Sequence, residues 1–328
     1  MRDHVEFIQS QNVMWEDAAD FGFGAGVRVK QLSHDKDSDA LTCLVSYPQG
    51  FAAEEARWQD VPEEIYLLDG QLAIGGDVLG RHGYLYLPAG TPRRPVASPE
   101  GALALVFRHE PSQPRKDDPQ IMIDTPKMGW DMSINDPNLT HLQMGRKVLR
   151  MGPGGSGRTW LLAGLPKITG EVLEVVLERH PHAEEMFLIH GEMGCGYGVM
   201  TTGAYFYRPP DIWHGLHTSE FGFFMILRTP GANEVVTEWS KERHKVPTDP
   251  PYRPILPPDA PPSLKRPLSN AVVELDLTRP PAPGATGLLD DNDEIQPTDA
   301  NGRRPDAYGS VYRGVLLCRG AGAGGVRP

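Results

Sequence analysis

The stretch ERHPHAEEMFLIHG, residues 178–191, carries three histidines and three glutamates within fourteen residues. It follows the apolar run VLEVVL and ends at a glycine, as expected for a strand that runs into a turn. Residues two apart on an extended strand project to the same face, so His180, His182 and Glu184 are predicted to lie together. Divalent first-row transition metals bind imidazole and carboxylate groups. The stretch therefore predicts a strand end that presents metal ligands.

The chain repeats itself at an offset of 121 residues. Residues 63–107 align with 184–228 without a gap, and 11 of these 45 positions are identical, including the pair Glu63/Glu184 and the pair Gly70/Gly191. Coincidental strand-and-turn composition is one explanation of the match. A duplicated domain is the better one, because the apolar positions between the identities also agree.

Each copy contains short apolar runs at spacings of about ten residues, which is typical of a sandwich or barrel of strands. We predict an all-β protein with an N-terminal domain over 1–125 and a second domain over 126–245. One short helix is predicted over 233–245. The remainder, 246–328, is rich in Pro, Asp and Gly and is predicted to be a largely irregular extension, with weak strand signals at 270–277 and 308–318.

The composition excludes several classes of protein. The net charge is -11 and no basic run is present, which argues against nucleic-acid binding. No apolar run approaches the length of a membrane span, and the N-terminus does not resemble a signal peptide, so we expect a cytoplasmic protein without membrane contact. Three well separated cysteines argue against a disulfide framework.

A further histidine, His214, lies 30 residues after Glu184 at the end of GAYFYRPPDIWH. This segment resembles the second motif of the cupin superfamily, which is Gly, five residues, Pro-x-Gly, two residues, His. The fit runs from Gly203 through Pro209 to His214, with Asp211 in place of the motif's second glycine.

The opening stretch resembles the first cupin motif, in which His-x-His is followed after three or four residues by Glu and then, after six more, by Gly. His180, His182 and Glu184 fit, but the gap between histidine and glutamate is one residue. Glu185 therefore stays an alternative to Glu184. The resemblance covers about residues 20–245 and implies tandem jelly-roll barrels, with one divalent metal ion held by His180, His182, Glu184 (or Glu185) and His214.

The resemblance also implies a function. We expect a metal-dependent enzyme, foremost an Fe(II) dioxygenase that uses O2 and a small aromatic or carbonyl-bearing substrate chelated to the metal. The alternatives are a lyase, decarboxylase or isomerase that uses Zn, Mn or Ni as a Lewis acid, and a ligand-binding or sensor protein anchored by the metal. A homodimer is a further expectation, because strand edges on such barrels commonly pair.

The first copy lacks the ligands. Counting back from Glu63 by the family spacing places Arg57 and Gln59 at the His-x-His positions, and Arg93 stands where His214 stands. A guanidinium group has no lone pair for a cation, so the first copy is predicted to be structural or to bind an anion. We expect Glu63 to pair with Arg57 or Arg93.

Several other side chains are candidates for a pocket. Tyr205 and Tyr207 are expected to pack, with a place near the metal as the alternative. Trp213 is expected in the core or as the wall of an aromatic pocket, and His217 at the pocket mouth or on the surface. His190 is expected to be exposed. Four histidines outside the motifs are expected at the surface: His4, His34, His82 and His141.

Overall fold

The structure is a computed structural model that describes residues 2–53, 58–59, 61–92, 94–134, 136–166, 173–247 and 250–268, with the backbone alone at residues 20 and 58–59. These residues contain strands and short 3-10 helices but no α-helix, and none of their helices is long and apolar enough to cross a membrane.

The strands are β1 (Val5–Gln9), β2 (Glu16–Asp17), β3 (Arg28–His34), β4 (Leu41–Tyr47), β5 (Phe51–Ala53), β6 (Trp58–Gln59), β7 (Glu63–Gly70), β8 (Leu72–Ile74), β9 (Asp77–Leu79), β10 (Gly83–Leu87), β11 (Thr91–Pro92), β12 (Val96–Ser98), β13 (Ala102–Arg108), β14 (Ile121–Asp124), β15 (Met144–Met151), β16 (Gly157–Gly164), β17 (Glu174–Arg179), β18 (Glu184–Cys195), β19 (Gly198–Thr201), β20 (Ala204–Arg208), β21 (His214–Gly215), β22 (Phe223–Pro230) and β23 (Glu238–Lys245). The 3-10 helices are Ser10–Asn12, Ala19–Phe21, Thr125–Lys127, Thr140–Leu142, Pro153–Gly155 and Pro262–Lys265.

Two seven-stranded antiparallel sheets carry the fold. The first has the order β14-β10-β7-β13-β4-β3-β2, and the second has the order β1-β20-β18-β22-β16-β15 with β19 attached to β18. The first six strands of the two orders correspond one to one: β14 to β1, β10 to β20, β7 to β18, β13 to β22, β4 to β16 and β3 to β15. Both copies also turn at a glycine in the same way: Gly70 and Gly191 have φ near +80°, and a Cβ on either would lie 2.1 Å from a backbone oxygen. The predicted all-β, tandem jelly-roll architecture is confirmed.

The outermost strand of the second sheet comes from the start of the chain. β1 pairs antiparallel with β20, with Val5 opposite Tyr207 and Gln9 opposite Ala204. The other edge of β1 is also paired, because the amide of Glu6 donates to the carbonyl of Ile255 at 2.9 Å and the amide of Ile255 donates to the carbonyl of Glu6 at 2.6 Å. β1 therefore lies between the second copy and the segment that follows it.

Alternation along β20 separates two environments. Ala204 and Phe206 face the core enclosed by the second copy, together with Met186 and Leu188 of β18. Tyr205 and Tyr207 face the opposite way, into a core that residues of both sheets share. These two tyrosines lie on the face of β20 opposite to Arg208, and the hydroxyl of Tyr205 donates to Glu185 within the shared core.

The helix predicted over 233–245 is wrong. Residues Glu238–Lys245 form β23, which pairs antiparallel with β17, with Glu174 opposite Lys245. The segment is mostly exposed or half-buried, so it has no apolar stripe that a helix could bury, and pairing along β17 satisfies its backbone groups. The strand signals at 270–277 and 308–318 lie outside the described residues.

Candidate metal centre

Four side chains meet where β17, β18 and β21 come together. Glu178 near the end of β17 pairs across the ladder with His214 of β21. His180 follows β17 directly, and Glu184 begins β18. All four residues are at most 8 % exposed. The local folding therefore encloses two imidazoles and two carboxylates.

Each carboxylate spans the two imidazoles. The Nε2 atom of His180 lies 3.9 Å from Oε2 of Glu178 and 3.9 Å from Oε1 of Glu184. The Nε2 atom of His214 lies 3.7 Å from Oε1 of Glu178 and 3.5 Å from Oε2 of Glu184. Two donor atoms that each bind one metal at about 2.1 Å are roughly 3.4 Å apart in a tetrahedral shell. The spacing therefore fits a divalent transition metal.

The backbone fixes the tautomers of three histidines. Each Nδ1 atom lies beside a main-chain carbonyl, which can only accept, so Nδ1 carries the proton and Nε2 keeps its lone pair. The partners of His180, His182 and His214 are the carbonyls of Val236, Ala183 and Ile212, at 3.0, 3.1 and 3.0 Å. Neutral imidazoles that offer Nε2 are the form in which histidine binds a metal.

Burial sets the charge of these groups. Burial, and next the charge of Arg208, hold the pKa of His214 well below its ordinary value, and burial lowers the pKa of His182. Burial, and next the charge of Glu184, raise the pKa of Glu178 to about 8. Without a cation, the adjacent carboxylates of Glu178 and Glu184 do not readily ionise together. A bound cation would favour the ionised form of both.

We expect the metal-free protein to lose stability as the pH rises from about 4.5 to about 8. Across that window the folded state keeps a proton on Glu178 that the unfolded state has released, so rising pH favours unfolding by up to about 1.4 kcal/mol per pH unit. Denaturant unfolding in the presence of a chelator, across this window, measures the slope. Glu178→Gln lacks this contribution, and equal slopes in wild type and variant would contradict the assignment.

The carboxylate of Glu184 is held from behind by Arg208, its cross-strand partner on β20. Nη1 of Arg208 donates to Oε2 of Glu184 at 2.9 Å, while Nε and Nη2 donate to the two oxygens of Glu6 at 2.5 Å each. Burial alone would raise the pKa of Glu6, but the charge and hydrogen bonds of Arg208 lower it to about 2. A buried Glu6–Arg208–Glu184 chain thus ends at the candidate centre.

The structure separates the two candidate carboxylates of the sequence. Glu184 faces the centre, whereas Glu185 points to the other side of β18 and accepts hydrogen bonds from the hydroxyls of Thr42 and Tyr205 at 2.7 and 2.9 Å. His182 stacks on His180 with ring centroids 5.2 Å apart. The buried Nε2 atom of His182 has no hydrogen-bond partner among the described residues, so its lone pair is available to bind a cation.

Sequence reasoning missed Glu178, whose carboxylate oxygens lie 3.9 and 3.7 Å from the Nε2 atoms of His180 and His214. A signal was present, because Glu178, His180 and His182 follow one another at intervals of two and share a face of an extended segment. Glu178, His180 and His214 form the tightest group of potential metal ligands in the described part of the chain, each offering an atom within 4.8 Å of the others.

Of the remaining pocket candidates, His217 lies beside the centre and Trp213 is exposed. His217 lies beside the centre, with Nε2 3.5 Å from Oε1 of Glu178 and its side chain 11 % exposed. Trp213 is 36 % exposed and lies under the guanidinium of Arg179, so it is neither in the core nor enclosed. His190 and His82, expected at the surface, are half-buried and pack against the ring of Phe224.

The first copy places an arginine beside its matching carboxylate. Nη2 of Arg108 lies 3.5 Å from Oε2 of Glu63. Arg57, Arg93 and the side chain of Gln59 lie outside the described residues, so pairing of Glu63 with Arg57 or Arg93 stays a prediction. The only group of close potential ligands among the described residues belongs to the second copy.

The chain matches one protein family and several solved structures. The family described as "Domain of unknown function (DUF4437)" matches residues 6–236. No curated protein matches the chain. A candidate dioxygenase from Nostoc punctiforme is similar at a TM-score of 0.61 and 21% identity, over 74% of this chain and 92% of the other. The protein Ylba of E. coli is similar at a TM-score of 0.52 and 12% identity, over 71% and 93%.

A cupin 2 conserved barrel domain protein from Leptotrichia buccalis is similar at a TM-score of 0.44 and 12% identity, over 70% of this chain and 97% of the other. The likeness to the Nostoc punctiforme and E. coli proteins shows a shared fold.

Proposed function

The chain belongs to the DUF4437 family, and we propose that it is a metal-dependent enzyme of the cupin superfamily that works from its second copy alone. One observation carries the proposal. The imidazoles of His180 and His214 are fixed by backbone carbonyls so that each Nε2 faces the two buried carboxylates of Glu178 and Glu184. Buried charges of one sign persist in proteins where a cation or a partner compensates them.

We propose that His180, His214, Glu178 and Glu184 hold the ion, with His182 as a further nitrogen donor beside them. The first copy, with Arg108 beside Glu63, is degenerate and has a structural role. Iron in the ferrous state is the proposed metal, and a small aromatic or carbonyl-bearing compound is the proposed substrate.

The reaction we propose is a dioxygenation. When bound, Fe(II) supplies the one-electron and O2 chemistry that amino-acid side chains lack. The likeness to the Nostoc punctiforme protein, a candidate dioxygenase, agrees with this choice. The histidines and glutamates of this site also suit Zn, Mn and Ni, and metal analysis of the purified protein distinguishes these ions from iron.

The protein orients the proposed ligands and excludes water from the site. Backbone carbonyls orient the imidazoles, and Arg208 orients Glu184. Met186 and Phe206, which follow Glu184 and precede Arg208 on the same strand faces, are at most 3 % exposed and keep water from the inner side of the centre. We propose that His217, whose Nε2 lies 3.5 Å from Glu178, contacts the substrate.

The test is oxygen uptake by protein purified without oxygen and loaded with Fe(II), against a panel of enols, phenols and oxo acids. We expect O2 consumption with at least one of them, and none in Glu178→Gln. Turnover of the same panel without O2 would replace the dioxygenase by a Lewis-acid lyase or isomerase. Tight ligand binding without any turnover would indicate a sensor.

A further inference from the structure

The second copy receives a charged group from the far end of the sequence. Glu6 on β1 is 0 % exposed and binds Arg208 through both carboxylate oxygens, at 2.5 Å each. Arg208 in turn binds Glu184 at 2.9 Å. We propose that Glu6 is a positioning residue that sets the metal affinity of the second copy by neutralising Arg208, an inference that rests on the proposed metal site.

Charge explains why Arg208 needs a second partner. A guanidinium within hydrogen-bond distance of Glu184 places a fixed positive charge next to the proposed cation, and like charges repel strongly in a buried site. A bidentate carboxylate is the strongest partner that a guanidinium finds in a protein. With Glu6 in place, Arg208 is neutralised as a pair and still orients Glu184.

Geometry explains what Glu6 prevents. Arg208 directs Nε and Nη2 to Glu6 and Nη1 to Oε2 of Glu184. If the carboxylate of Glu6 were neutral, the guanidinium could turn its fork to both oxygens of Glu184 and compete with the metal for them. The ion pair therefore leaves Oε1 of Glu184 directed to His180, at 3.9 Å from Nε2.

The first copy lacks this arrangement. At an offset of 121 residues, Leu87 stands where Arg208 stands in the second copy. The outer strand equivalent to β1 is β14, in which Met122 pairs with Leu85, the counterpart of Phe206. The buried ion pair thus accompanies the copy that carries the ligands and is replaced by apolar residues in the copy that does not.

The backbone keeps Glu6 in register from both sides. β1 pairs with β20 on one edge and with Ile255 on the other, and the hydroxyl of Tyr252 donates to the carbonyl of Phe7 at 2.9 Å. The rings of Phe7 and Tyr252 pack with centroids 5.2 Å apart. Two segments, one before the first copy and one after the second, therefore hold the positioning carboxylate.

The experiment compares Co(II) binding by the full chain, wild type, Glu6→Gln and Glu64→Gln, by competition with a chromophoric chelator and by the visible absorption of bound Co(II). Glu64 is the matched control, because it is also 0 % exposed and paired with a buried arginine, Arg228, but does not touch the centre. We expect the Kd of Glu6→Gln to rise by about 10- to 100-fold with an altered spectrum, because Arg208, which orients the ligand Glu184, loses its bidentate partner, and disturbing the group that orients a ligand has an effect of this size.

Glu64→Gln should stay within about 2-fold of the wild type, although both variants unfold more easily, since each neutralises a buried paired carboxylate. Wild-type affinity in Glu6→Gln, or equal weakening in both variants, would overturn the inference and leave the metal site standing. A wild-type protein that does not bind Co(II) would overturn the metal site and this inference with it.

Discussion

His180→Ala is expected to abolish metal binding, from about one ion per chain to less than about a tenth, whereas outer partners of ligands cost only about 10- to 100-fold in affinity. The Nε2 atom of His180 lies 3.9 Å from both Glu178 and Glu184, so its loss removes one of the two imidazoles that face both buried carboxylates. Metal analysis of protein purified without oxygen measures the effect. His180→Gln, which keeps most of the side-chain volume, should lose the metal as well.

The control for this loss is His34→Ala. His34 belongs to the first copy and bonds Asp39 at 2.8 Å, with both side chains partly or fully exposed. Its removal should leave the metal content unchanged. Full metal content in both His180 variants, with the native fold retained, would contradict the proposed ligand.

Arg228→Met is expected to destabilise the protein by about 3–5 kcal/mol, because it removes one partner from a buried ion-pair network. Arg228 is 4 % exposed, donates to Glu185 through Nη1, and lies 3.2 Å from Oε1 of Glu64 through Nε. These two glutamates are repeat counterparts, one from each sheet. Without Arg228 both carboxylates lose a main source of compensation in an apolar surrounding.

In the rest of this network, each of the two glutamates accepts hydrogen bonds from hydroxyls of both sheets. Glu64 accepts from Tyr84 of its own copy and from Thr159 of the other, and Glu185 accepts from Tyr205 of its own copy and from Thr42 of the other. Burial would raise the pKa values of both glutamates, but the nearby arginines lower them, so both carboxylates are ionised at neutral pH. Arg228 therefore joins two negative charges that hold the copies together.

Denaturant unfolding measures the loss, with Arg115→Met as the control. Arg115 pairs with Asp117 at 2.7 Å, but their side chains are 51 % and 63 % exposed, and exposed pairs contribute at most about 1 kcal/mol. The combined change of Arg228→Met, Glu64→Gln and Glu185→Gln should recover part of the stability. Equal effects of Arg228→Met and Arg115→Met would contradict the network.

The fold was predictable because short apolar runs that end at turn residues are local signals, and because the repeat marks equivalent strands in the two copies. The match of Glu63 with Glu184 and of Gly70 with Gly191 marks equivalent strand ends, and the structure builds the same turn at both glycines. The helix predicted over 233–245 failed because pairing with β17, a contact distant in sequence, decides that segment. The local sequence pattern does not predict the pairing of β1 with β20 either, since about 200 residues separate the two strands.

The site was predictable in part. His180, Glu184 and His214 fit spaced motifs and come together in the structure. Glu178 was missed because the family spacing directs attention downstream of the histidines, although strand alternation indicated it. The sequence did not decide between the two roles of Tyr205 and Tyr207, because it does not show which face of β20 each side chain occupies. It did not indicate Glu6, because the role of Glu6 depends on the pairing of β1 with β20.

A crystal of the protein loaded with Fe(II) or Co(II) under anaerobic conditions, with anomalous diffraction data at the metal edge, would locate the ion. We expect one peak per chain, in contact with Nε2 of His180 and His214 and with the carboxylates of Glu178 and Glu184. A peak in the first copy beside Glu63, or no peak in protein that is fully folded, would contradict the assignment of a single metal centre to the second copy.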